Sequence, residues 1–91
     1  MNMSNFNEVI TPFFEELNID PIEFTYNEKT KKFISNESFS YSDDDPESYF
    51  IVIKMINNIG NVMIGTSDGI KFSERKLLGQ IMYNNNTWTK L

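Results

Sequence analysis

The stretch Tyr49-Phe50-Ile51-Val52-Ile53-Lys54-Met55-Ile56, with Asn57-Asn58-Ile59-Gly60 and Asn61-Val62-Met63-Ile64-Gly65-Thr66 behind it, decides the fold class. Its first eight residues are apolar except for Lys54. Such a run reads as a central strand covered on both faces. The Asn-Asn-Ile-Gly segment turns the chain, and residues 61–66 return as an antiparallel partner.

Working outward, Phe6, Val9, Ile10, Phe13, Phe14 and Leu17 recur at the spacing of one helix face. Asn5 followed by Glu8 fits an N-cap with its reciprocal acid. Pro12 inside that pattern costs about 3 kcal/mol in a helix interior, so it kinks the helix or restarts it with Thr11 as cap. Asn18 and Asp20-Pro21 stop it. Ile22, Phe24 and Tyr26 then alternate with polar residues as a half-buried strand does. Asn27 to Thr30 turns, and Lys32-Phe33-Ile34 opens a return strand that can run to Tyr41. After the central pair, Ser67-Asp68-Gly69 is another turn signal and Ile70 to Phe72 alternates again. Ser73 to Tyr83 stays open between helix and strand: Leu77, Leu78, Ile81 and Met82 fit a helix, and Gly79 weakens it. Thr87-Trp88-Thr89 has high β-propensity, with Trp88 a half-buried strand residue or an interface anchor. The expected fold is α+β in one domain over residues 1–91. An N-terminal amphipathic helix packs on a mostly antiparallel sheet of about five strands.

The chain has neither cysteine nor histidine. Thiolate nucleophiles, disulfides and zinc-thiolate sites are therefore excluded, as are the commonest general base and the commonest nitrogen ligand. This composition points to a binding protein, not an enzyme, with no cofactor and no metal. It suits a reducing interior such as the cytoplasm. No apolar run approaches the ~20 residues of a membrane span.

Charge is divided along the chain. Residues 1–47 hold eleven acids against three bases, a net −8, and residues 48–91 hold two acids against five bases, a net +3. An acidic half repels phosphate and favours encounter with a basic protein surface. Asp43-Asp44-Asp45-Pro46-Glu47 is a charged loop whose contiguous acids lack the alternate spacing and glycine of calcium loops. Lys29, Lys31 and Lys32 surround a hairpin tip, where lysine discourages edge pairing.

Pro46-Glu47-Ser48-Tyr49-Phe50-Ile51-Val52 and Asn61-Val62-Met63-Ile64-Gly65-Thr66-Ser67-Asp68 resemble two consecutive strands of the phage-encoded uracil-DNA glycosylase inhibitors. The tail from Gln80 to Leu91 is similar to their C-terminal hairpin. Asn36-Glu37-Ser38-Phe39 resembles the strand edge that they insert into the enzyme's DNA groove. The resemblance implies a DNA mimic that blocks a host DNA-binding enzyme without touching nucleic acid itself. Glu37, Ser38 and Phe39 would sit against the groove, with Asp43, Asp44, Asp45 and Glu47 adding negative charge. Asp68 would face the active-site side, and Val52 and Met63 would line an apolar pocket for an intercalating side chain. Departures exist: the stretch from Glu37 to Pro46 has no room for the second helix, Phe39 replaces an aliphatic residue, and Gly65 replaces a large apolar one. An anti-CRISPR protein in a nuclease's DNA or PAM channel, and a non-inhibitory assembly module pairing through an exposed strand or the Trp88 edge, are the alternatives.

Overall fold

A computed structural model describes residues 1–40, 47–67 and 72–91. The apolar face read from the sequence forms α1 (Phe6–Leu17), which buries Phe6, Val9, Ile10, Phe13 and Phe14. Pro12 lies inside this one helix and neither ends nor restarts it. Asn18 stops it by adopting the left-handed conformation at φ 57°. The Ile19 amide then donates to the Phe14 carbonyl and the Asn18 amide to the Glu15 carbonyl, which satisfies carbonyls of the last turn.

Six strands follow: β1 (Phe24–Asn27), β2 (Lys32–Ser35), β3 (Phe50–Ile56), β4 (Ile59–Ser67), β5 (Phe72–Asn84) and β6 (Thr87–Lys90). They form one antiparallel sheet in sequence order, so every neighbour in the chain is a neighbour in space. The expected central strand is β3, with Ile51, Val52 and Ile53 at 1% exposure or less. Asn57, in the left-handed conformation at φ 57°, turns β3 into β4. The return strand after the first hairpin is shorter than its alternation suggests: β2 ends at Ser35, and beyond it Phe39 forms an isolated antiparallel bridge with Tyr49.

The sheet has six strands where about five were expected, and β5 explains the difference. Against β4, the register slips between Val62 and Met63 and again between Ile64 and Gly65, leaving Leu78 and Arg75 as extra residues in β5. A bulge interrupts period-two alternation. Leu78, Ile81 and Tyr83 therefore pack against the core while Leu77 stands in solvent. That displacement gives the apolar residues a helix-like spacing within a strand. Gly79 fits because a Cβ there would press the Phe13 ring at 3.0 Å.

The sheet curls into a half-barrel around α1. Phe6 of α1 stacks on Phe33 of β2 with centroids 4.9 Å apart and meets Trp88 of β6 at 5.2 Å. Phe33 and Trp88 themselves lie 5.9 Å apart, although three strands separate β2 from β6. The aromatic cluster thus closes the curl. Trp88 is 2% exposed, so it is a core residue and not an interface anchor.

Asn5 sits at the N-cap position but makes no side-chain cap bond. Its amide turns to β6 instead: Nδ2 donates to the Trp88 carbonyl at 2.8 Å, and the Trp88 amide donates to Oδ1 at 2.9 Å. The indole Nε1 donates to the Asn2 carbonyl, and the Asn2 amide donates to the Tyr83 hydroxyl. The N-terminal segment therefore covers the outer edge of β6. Asn5→Asp is expected to lower stability by about 2 kcal/mol, because a carboxylate would face the Trp88 carbonyl with no donor. Aspartate is as good a helix cap as asparagine, so urea unfolding with an unchanged midpoint would instead mark a capping role.

Candidate partner-binding surface

α1 covers one face of the curled sheet. Ile51, Ile53, Met55, Val62 and Ile64 belong to the core around it. Strand alternation places Val52 and Met63 on the opposite face. Strand register then aligns one row across four strands: Ile34 pairs with Val52, Val52 with Met63, and Met63 with Leu77. The row has a closed middle and open ends. Val52 and Met63 are 1% and 8% exposed, whereas Ile34 and Leu77 are 40% and 57% exposed. The two residues assigned to an apolar pocket are thus side by side. Three clefts among the described residues are lined by other side chains, near β1.

Sequence reasoning missed Ile34 and Leu77. Each stood in a recognised apolar segment, but nothing local indicates that a strand pairing and a bulge bring them into one row. Register is a tertiary fact here.

The acidic border begins one turn of chain beyond Ile34. Ser35 is buried, and its Oγ accepts the Ile51 amide at 3.0 Å and donates to the Glu37 carbonyl at 3.1 Å. The hydroxyl takes the place of a ladder acceptor, so the backbone leaves the sheet at this point without stranding the β3 amide. Glu37 and Ser38 emerge exposed on the departing chain. Phe39 turns inward to the core and lies 6.0 Å from the Tyr49 ring, so it props the segment from beneath.

Glu47 is exposed, and its Oε1 lies 3.9 Å from Nη2 of Arg75, the extra residue of a β5 bulge. Both side chains are half exposed, so the pair adds little stability. It does soften the negative field at Glu47. Asp43, Asp44, Asp45 and Asp68 lie outside the described residues. Among the described residues, no three carboxylates gather as a metal site, and no helix is long and apolar enough to cross a membrane.

The structure therefore brings together an apolar row and the exposed Glu37-Ser38 segment at the end of β2. Compared with protein-family models, with curated proteins and with solved structures, the chain finds no match.

Proposed function

We propose that this chain is an inhibitor protein that blocks a nucleic-acid-processing enzyme by DNA mimicry, with uracil-DNA glycosylase as the foremost target. The observation that carries this reading is the row Ile34–Val52–Met63–Leu77 on the face that α1 leaves uncovered, next to the exposed Glu37-Ser38 segment. An apolar centre with a charged border is the anatomy of a protein interface. Enzymes that act on DNA offer the complementary surface, a groove with basic walls and apolar side chains that enter the base stack. In this reading Glu37 stands in for a phosphate, and Ile34 and Leu77, the exposed ends of the row, meet a side chain that would otherwise enter DNA. The net −8 of residues 1–47 speeds encounter with such a groove.

The test is a uracil-excision assay with surface variants. Leu77→Glu and Ile34→Glu are expected to weaken inhibition about 30-fold each, the effect of losing a ~2 kcal/mol hot spot. Their urea midpoints should stay near that of the parent, since both side chains are exposed. Glu37→Lys is expected to abolish inhibition by placing a like charge against a basic wall. Equal potency of all three variants would remove this face from the interface.

A further inference from the structure

The half-barrel leaves a gap between β1 and the N-terminal segment that covers β6, reaching to Met55 and Asn57 at the end of β3. Three adjoining clefts, of about 510, 370 and 240 Å³, line that gap. The largest shares Met1, Tyr26 and Lys31 with the second, and Met3 and Phe24 with the third. They form one trough along β1, bordered by Glu23 at one end and by Glu28 and Lys31 at the other.

The edge of β1 faces this trough with unused main-chain groups. The Asn36 amide donates to the Glu23 carbonyl at 2.8 Å, which makes Glu23–Asn36 a hydrogen-bonded pair. Alternation along the antiparallel ladder then makes Thr25–Ile34 and Asn27–Lys32 bonded pairs as well. The N–H and C=O groups of Phe24 and Tyr26 accordingly point away from β2, and among the described residues no backbone bond from outside the ladder reaches them.

We propose that the β1 edge is a docking site for an extended segment of another protein, which adds to the sheet as a seventh strand and fills the trough. The hydrogen-bonding groups of Phe24 and Tyr26 select an extended backbone. The two residues of the added strand opposite them point their side chains to the α1 side, into the trough, and are large and apolar. The trough wall of Met1 and Met3, 56% and 43% exposed, adapts to their shape. Glu23 favours a lysine opposite it, and Thr25 a threonine. A second copy of this chain fits poorly. In a twofold β1–β1 pairing, the trough-facing residues would be Phe24 and Tyr26 of the other copy, and these are committed to their own ring contacts with Phe6, Phe14 and Phe33. At the opposite end of the sheet, Asn5 occupies the outer main-chain groups of Trp88. This site is separate from the apolar row and does not depend on the inhibitor reading.

The probe is a fluorescein-labelled nonapeptide with the core Thr-Leu-Thr-Leu-Lys, titrated with the full chain and followed by fluorescence anisotropy. Saturable binding is expected, with the Phe24 and Tyr26 amides becoming protected from hydrogen exchange. N-methylation of the two leucines, and Met3→Glu in the protein, should each weaken binding at least about tenfold. N-methylation of the central threonine, whose amide faces away from β1, should change it by less than roughly twofold. Absence of saturable binding, or equal loss from both kinds of N-methylation, would overturn the proposal. So would a wild-type dimer in sedimentation with Phe24 and Tyr26 already protected, which assigns the edge to self-pairing.

Discussion

Replacing Gly65 by alanine is expected to cost about 3 kcal/mol of folding stability, and leucine at this position should prevent folding. A Cβ at residue 65 would stand 2.3 Å from the Ser73 carbonyl oxygen and 2.4 Å from the Phe72 ring. The first of these atoms is backbone, held by the β4–β5 pairing of Gly65 with Glu74 and of Thr66 with Ser73. Side-chain rotation cannot relieve that contact, so the strands must part. The ring of Phe72 occupies the space that a side chain at residue 65 would take. Urea unfolding of Gly65→Ala checks this, and a midpoint equal to the parent's would show that Phe72 and Ser73 move aside freely.

Phe33→Ala is expected to cost about 4 kcal/mol, the middle of the range for a buried aromatic. Phe33 is 2% exposed and joins three elements. Its ring lies 4.9 Å from Phe6, 4.5 Å from Tyr26 and 5.9 Å from Trp88. Removing it opens a cavity where α1, β1, β2 and β6 converge, and the curl of the sheet loses its closing contact. Domains of this size hold about 5–10 kcal/mol in total, so the variant should be marginal at 37 °C. The near-ultraviolet circular dichroism of Trp88 gives a second readout, because its ring is fixed by Phe6 and Phe33. Trp88 dichroism that survives together with full stability would mean that the half-barrel closes without this cluster.

Much of the architecture was legible because it rests on local periodicity. The α1 face and the central pair β3–β4 follow from spacing alone, and the left-handed Asn18 ends the helix where its residue type suggests. What stayed hidden depends on partners distant in sequence. Asn5 carries a good capping side chain, yet two backbone bonds to Trp88 outcompete the cap. Leu77, Leu78, Ile81 and Met82 imitate a helix because a bulge shifts the strand's alternation. The row that joins Ile34 to Leu77 exists only through register. Ser35 gave no signal either, since a serine at a strand end is unremarkable until an amide of the next strand is found bound to it.

The most direct test of the inhibitor reading is a titration of the wild-type chain into bacterial uracil-DNA glycosylase acting on a uracil-containing duplex. The account predicts that excision falls to background near one equivalent, and that excess DNA added before the protein delays the loss. Full excision activity at a several-fold molar excess of the chain would contradict it.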